Sequence, residues 1–212
     1  SRFDPPMNYR VNFSNDHTWK GKRAINLNSK YPHVQIMGSA LFRWAGLAAN
    51  EAWAVRLHVN GRDATTGDSS RTQGRYAALE AYDGDWAENH FPDDPDGNLY
   101  RCTYVYVDGQ RTVADLTYQG EDASDYEINY RKSTNEAQYD YSDVVRLTWA
   151  LNDNVPDADY VAGLAEVLDL RQWARYLAAD TLLGNQEGGL ATGTGDDYVL
   201  YRGVLDLSLI HI

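Results

Sequence analysis

The period of the apolar residues changes along this chain, and that change limits its fold more than any single motif does. Ile36, Met37, Ala40, Leu41 and Trp44 recur at helical spacing and stop at Gly46, a residue suited to the position just past a helix end. Trp53, Val55, Leu57 and Val59 then alternate with Ala54, Arg56 and His58 up to Asn60-Gly61, the period of a half-buried strand closing on a turn. Residues 75–81 and 99–107 read the same way, and the long polar connection 61–74 reads as a mobile surface loop. From Ser142 the period is helical again. Val144, Val145, Leu147, Thr148 and Leu151 predict one helix; Asp157 is placed to cap a second carrying Val161, Leu164, Ala165 and Leu168. A third runs from about Asp169 through Trp173, Leu177 and Leu183 to Gly184. A strand-rich part with one helix, followed by helices and a terminal strand, predicts an α+β fold with segregated layers. The expected division is one domain over 1–206, with a strand-rich lobe over 1–118 and a mainly helical lobe over 119–206.

Composition narrows the partners. At 212 residues, 43% hydrophobic and 24% charged, the chain can bury one sizeable core. Its net charge of -12 argues against nucleic acid, whose phosphates are held mainly by Lys and Arg. Cys102 is the single cysteine, so no internal disulfide forms. No apolar run approaches the roughly 20 residues that span a bilayer. Both ends read as artificial: position 1 is not Met, and Leu207-Ser208-Leu209-Ile210-His211-Ile212 matches a translated sequencing adapter. A gene fragment is therefore expected, with 207–212 a non-native tail. The alternative is an ordinary apolar C-terminal strand.

Chemistry concentrates near the end of the third helix. Gly184-Asn185-Gln186-Glu187-Gly188-Gly189 and Gly195-Asp196-Asp197-Tyr198 put one carboxylate past a helix end and two more around a glycine-rich loop before a short apolar strand. That is a layout for a metal and a phosphate. The plainer alternative has Glu187 as a solvated loop residue and Asp196-Asp197 as a turn.

Three further segments carry a resemblance. Arg75-Tyr76-Ala77-Ala78-Leu79-Glu80, then Asp85 through Phe91, then Gly97-Asn98-Leu99-Tyr100-Arg101 resemble the G-x-Y-x-x-x-E … F … G-x-L-Y-K series of the spore-coat protein H (CotH) kinase family. Lys22 through Ser29, the following helix and Val55 through Gly61 resemble its N-terminal half in order and spacing. The family is an atypical, secreted or surface-associated branch of the protein-kinase-like fold. The resemblance therefore implies ATP-dependent phosphorylation of Ser or Thr in a surface or secreted protein, such as one of the spore coat, with Mg²⁺ or Mn²⁺.

The same resemblance suggests roles. Glu187 stands where the family's catalytic carboxylate, usually Asp, follows the L-x-G-N helix end; a subgroup has N-E-x-G-L … G-D-D-Y-x-L-Y-R-G, as here. Asp196 and Asp197 stand where the family often has an Asn pair; both are candidate metal ligands, and Asp197 is the better candidate because a turn residue directly before a strand is well fixed. A kinase-like site also needs a cation on a strand, paired with a carboxylate. Arg101 (the family has Lys) and Lys132 are the candidates, with Glu80 as partner; each is otherwise a surface ion-pair member. The family's other metal-binding segment, Pro-(Trp or His)-Asp-Leu-Asp, follows the Y-R-G strand and is not reached here. The expected outcome is little kinase activity from this piece.

Other sites find less support. Aligning Gly97 with the sixth position of an EF-hand loop puts Pro92 and Thr103 at ligand positions, so residues 93–98 read as a polar turn. The five histidines lack zinc-ligand spacing, and the six tryptophans read as core. The main alternative to an enzyme is a non-catalytic surface or interaction module on a kinase-like scaffold. A glycosidase built on Glu80 and Glu187 is a distant third.

Overall fold

The computed structural model describes residues 6–65, 72, 74–152, 156, 158–185, 189–206 and 209–211. The fold is mixed α and β, with antiparallel sheets, and it divides into units 1–81 and 82–212. The boundary thus falls at Ala81 rather than near residue 118, and the strands after residue 97 belong with the helices. Among the described residues no helix is long and apolar enough to cross a membrane.

The first unit is a four-stranded antiparallel sheet of order β1-β2-β6-β3. Its strands are β1 (Tyr9–Asn12), β2 (Ala24–Asn28), β3 (Ala52–Val55) and β6 (Tyr76–Glu80). The run Trp53 to Val59, read as one strand, is broken at residues 56–57. It continues as β4 (His58–Val59), which pairs with β5 (Arg62–Asp63) across Asn60-Gly61. Strand β6 is buried at every position, with the helix over residues 32–44 packed on it and Trp19 and Trp53 packed with Tyr76 and Ala78, so it lacks the half-buried alternation expected. Residues 66–71 and 73 of the expected surface loop lie outside the described residues.

Helix α1 (Pro32–Trp44) begins with Pro at its first position, where no N–H partner is lost, and packs on β3 and β6. Its apolar residues do not all serve that contact. Val34 is 51%, Met37 57% and Trp44 88% exposed, and in the second unit Trp149 is 43% exposed, so not every tryptophan is core. Trp19 and Trp53 do pack, edge to face at 5.2 Å, over Ile25, Leu27 and Tyr76.

The second unit is built on a sheet of order β10-β7-β11-β12: β7 (Asn98–Cys102), β10 (Tyr130–Lys132), β11 (Tyr198–Arg202) and β12 (Leu209–His211). Leu209–His211 pair as a strand with β11; residues 207, 208 and 212 lie outside the described residues. The expected strand 99–107 is again two, β7 and β8 (Val105–Val107), the latter forming a ribbon with β9 (Gln110–Thr112).

One sheet face, carrying Tyr100, Cys102, Tyr130, Tyr198 and Leu200, forms a core with α3 (Ser142–Leu151), α4 (Tyr160–Ala165) and α5 (Leu170–Leu183). Three tyrosines serve there because their hydroxyls are satisfied. Tyr130 Oη accepts from Leu116 N (2.8 Å), Tyr198 Oη donates to Ala114 O (2.6 Å), and Tyr126 Oη donates to Gly120 O (3.0 Å). Helix α5 starts and stops as expected: Asp169 accepts from Arg171 N and Gln172 N, and Gly184 is left-handed at φ 59°. Asp157, the expected cap of α4, lies outside the described residues; Asp159, directly before α4, makes no side-chain cap.

The other face holds Tyr201, stacked on Phe91 at 4.4 Å and met edge-on by Trp86 at 5.8 Å from α2 (Gly84–His90). Just after α2, the segment weighed for calcium is a structural turn. Asp94 accepts from the backbone N–H groups of Val204 (2.8 Å), Leu205 (2.9 Å) and Asp206 (3.0 Å), fixing the chain after β11. Desolvation opposes ionisation, but the three N–H donors outweigh it and hold the Asp94 carboxyl below its ordinary 3.8. Asp94→Ala is expected to cost about 1–2 kcal/mol at neutral pH, like loss of a helix cap. A depressed folded pKa gives stability above the unfolded value that is lost as pH falls through the folded one. The difference from wild type in urea unfolding should therefore hold at neutral pH and shrink below about pH 3.8.

Candidate functional site

In the first unit a buried cation lies among carboxylates. Lys20 (φ 52°) and Gly21 (φ 78°) turn the chain between Trp19 and Lys22, which bridge each other, and this delivers Lys22 beside the end of β6. Its Nζ lies 2.6 Å from Glu80 Oε1 and 3.3 Å from Glu51 Oε2, with side chains 7% exposed for Lys22 and 1% for Glu80. Glu80 Oε2 also accepts from Glu51 N at 3.1 Å, and Glu51 is 3.4 Å from Arg43. Desolvation works against the lysine charge, but Glu80 and then Glu51 outweigh it, so its pKa lies above the ordinary 10.5. Glu80, expected beside Arg101 or Lys132, is thus paired within its own unit to Lys22. The sequence does hold a signal for Lys22. A glutamate ending the buried run Tyr76-Ala77-Ala78-Leu79-Glu80 needs a cation, and Lys22 precedes the strand whose Ile25 pairs with Glu80.

In the second unit the expected cations separate. Arg101 pairs with Arg131 and Val199 across the sheet, whereas Lys132 pairs with Tyr100, the neighbouring position on β7. Adjacent positions of a strand face opposite sides, so Arg101 and Lys132 cannot serve one ligand. Lys132 lies on the core side, 5.8 Å from the rings of both Tyr100 and Tyr141, and donates to Gln138 O at 3.2 Å. Burial lowers its pKa against the pull of Asp140 and Asp143.

Arg101 instead shares a cleft with Asp197. Both line a cleft of about 160 Å³ together with Tyr82, Cys102, Thr103, Tyr198 and Val199. Asp197 sits left-handed (φ 57°) directly before β11 and is exposed. Its neighbour Asp196 is 7% exposed and ion-paired with Arg111 at 3.3 Å. The turn is held from behind: Gly189 N donates to Asp196 O at 3.0 Å, and a Cβ at Gly189 would collide with the backbone of Asp196. Arg111, which also donates to Thr194 O, ties the β8–β9 ribbon to the same turn.

Glu187 lies outside the described residues. The helix end before it is organised by Asp180, 1% exposed, whose Oδ1 accepts from Asn185 Nδ2 at 2.8 Å while its carbonyl accepts from Asn185 N. Sequence reading missed Asp180, although an aspartate at an otherwise helical position, five residues before Asn185, asks for a partner.

For a divalent metal, Asp197 fits, being an exposed carboxylate in a cleft. Mg²⁺ often takes one or two carboxylates with the remaining positions on phosphates and water. Asp196 does not fit, because Arg111 occupies its carboxylate. Among the described residues no three His, Cys, Asp or Glu side chains converge as a metal-binding group.

Comparison with known proteins agrees with the resemblance. Residues 1–208 match the family described as CotH kinase protein. Inner spore coat protein H of Bacillus subtilis (strain 168) is 23% identical over 198 residues, which cover 92% of this chain and 49% of that protein. The chain therefore spans about half the length of the curated relative it matches. With a family match over nearly its whole length, the chain belongs to the CotH family.

Proposed function

We propose that the protein containing this chain is an ATP-dependent kinase of the CotH type, transferring phosphate to Ser or Thr of a surface or spore-coat protein. The single observation that carries this reading is the buried Lys22–Glu80 pair, 2.6 Å apart. Kinase-like sites require a lysine kept charged and oriented by a glutamate to grip nucleotide phosphates. A lysine held charged by two carboxylates meets that need. Surface association rests on the name of the B. subtilis relative. The kinase-like fold rests on family membership.

The roles divide as follows. Lys22 grips phosphate oxygens and Glu80 fixes its direction. In the second unit, Asp197, which lines a cleft together with Arg101, is the carboxylate that would hold Mg²⁺ or Mn²⁺, an ion that supplies charge neutralisation in phosphoryl transfer. Glu187 orients and deprotonates the acceptor hydroxyl. Asp180 holds Asn185, two positions before Glu187 in the sequence. The downstream acidic segment expected after the Y-R-G strand would complete the metal site.

The test is transfer of labelled γ-phosphate from ATP, with Mg²⁺ and with Mn²⁺, by the natural product that contains this segment and its downstream residues. Transfer to Ser or Thr is expected, reduced about 100-fold or more by Lys22→Met. A folded natural product that neither binds ATP nor transfers phosphate would sink the reading in favour of a non-catalytic interaction module.

A further inference from the structure

Charge is divided unevenly between the two units. Residues 1–81 hold 11 Lys and Arg against 6 Asp and Glu, whereas residues 82–212 hold 8 against 25. Net charges of +5 and -17 draw the first unit of one copy toward the second unit of another. The division is sharpest around α1. No Asp or Glu occurs between Asp16 and Glu51, although about one residue in seven of the chain is acidic. On α1 itself Val34, Met37 and Trp44 lie three and seven positions apart, on one side of the helix, and are 51%, 57% and 88% exposed. Lys30, before the helix, and Arg43, in its last turn, are exposed as well. Trp and Arg are the residue types that most often anchor protein interfaces, and Arg43-Trp44 sets them side by side.

The second unit holds a groove of the opposite character, of about 310 Å³, beside α3 and α4. Buried Val167, half-buried Tyr118 and the 43% exposed Trp149 give it an apolar, aromatic lining. Its charged residues are Glu121, Glu166 and Arg146, all exposed, so carboxylates outnumber the cation. A volume near the ~300 Å³ at which small-molecule sites begin admits a single indole. Two α1 helices face to face would set Lys30 and Arg43 against their like, and two grooves would oppose carboxylates. Helix against groove joins unlike charges and apolar surface to apolar surface. Because one chain carries both halves of this complement, a second copy is the partner that the surfaces favour.

We propose that α1 of one copy, led by Trp44, seats in the groove beside α3 and α4 of a second copy, so that the protein associates head to tail. Such a contact uses two different patches, so it adds copies into rings or filaments rather than closing as a two-fold dimer. It is independent of the kinase reading.

The test is sedimentation velocity with light scattering on the natural product that contains this chain, over a wide range of protein and salt concentration, without ATP or metal. Mass is expected to rise with protein concentration and to fall as salt screens the opposed charges. Trp44→Ala should weaken association by about tenfold or more, at an unchanged melting temperature because the indole already faces water. Glu121→Lys/Glu166→Lys, changed only at exposed positions, should weaken it to a similar degree. The decisive measurement mixes these two variants. Trp44→Ala keeps its groove and the double variant keeps its α1, so together they should form a one-to-one pair that grows no further. Wild type that stays monomeric at every concentration overturns the proposal, and does so equally if Trp44 is found to insert into vesicles of anionic phospholipid. Association that survives either variant also overturns it. So does a double variant that pairs with itself and ignores Trp44→Ala, the result expected for α1 against α1. Absence of phosphate transfer would leave this contact standing, and a monomer that transfers phosphate would leave the kinase reading standing.

Discussion

Glu80→Gln is expected to cost about 3 kcal/mol and lower the melting temperature of a chain this size by roughly 6–12 °C. Removing one member of a buried pair leaves the other charge uncompensated, which is worse than removing both. Lys22 would keep Glu51 at 3.3 Å, so the loss should sit near the lower end of the usual range for broken buried pairs. The double variant Lys22→Met/Glu80→Gln should recover much of the loss, and this separates an unpaired charge from a simple packing defect. The pH dependence has a definite sign. Lys22 holds its proton more tightly in the folded state, so its contribution is complete below the ordinary 10.5 and drains away as pH rises through the folded value. The gap between wild type and Glu80→Gln should narrow in alkali and not in mild acid. Urea midpoints at unchanged slope measure it. A midpoint equal to wild type at neutral pH would mean that the pair contributes nothing net.

That pair also marks where the sequence was legible and where it was not. Local signals read well. Asp169 and Gly184 bound α5 as capping chemistry predicts, Pro32 opens α1, and the Asp196-Asp197 turn leads into β11. Period-two runs were read in the right places but at the wrong length, since strand ends are set by partners. The apolar run Trp53 to Val59 breaks because β6 pairs only with 52–55. Faces were harder still. Nothing in the sequence alone says that Lys132 registers with Tyr100 and Arg131 with Arg101, yet this one-residue offset decides which cation reaches the Asp197 cleft. Lys22 and Glu80 are 58 positions apart, and only the β2–β6 register brings them together. Charged partners across a sheet are invisible to a periodicity that records only apolar residues.

Asp143→Ala should be the most damaging single change in the second unit, at about 3–5 kcal/mol. Asp143 sits in the first turn of α3, with its side chain 4% exposed, and polar groups from two strands converge on it. Its Oδ1 is 2.6 Å from Arg202 Nη1 on β11; its Oδ2 accepts from Asn98 Nδ2 at 2.7 Å and Tyr100 Oη at 3.0 Å, both on β7. Burial first, and then the Asp143 charge, push the Tyr100 hydroxyl pKa well up, so it stays a donor at every working pH. Alanine would leave a guanidinium, an amide and a phenol without their acceptor in a closed interior. Asp143→Asn should cost less, because one acceptor oxygen survives, although its amide meets donors. The consequence reaches the cleft, since β7 carries Arg101 and β11 begins directly after Asp197. Asp143→Ala should therefore loosen the cleft that Arg101 and Asp197 line along with the fold. A double cycle with Arg202→Met isolates the ion pair, and a coupling near zero would show that Asn98 and Tyr100 account for the loss. An Asp143→Ala variant within about 1 kcal/mol of wild type would mean that water reaches this helix end and that the sheet is held by its aromatic faces instead.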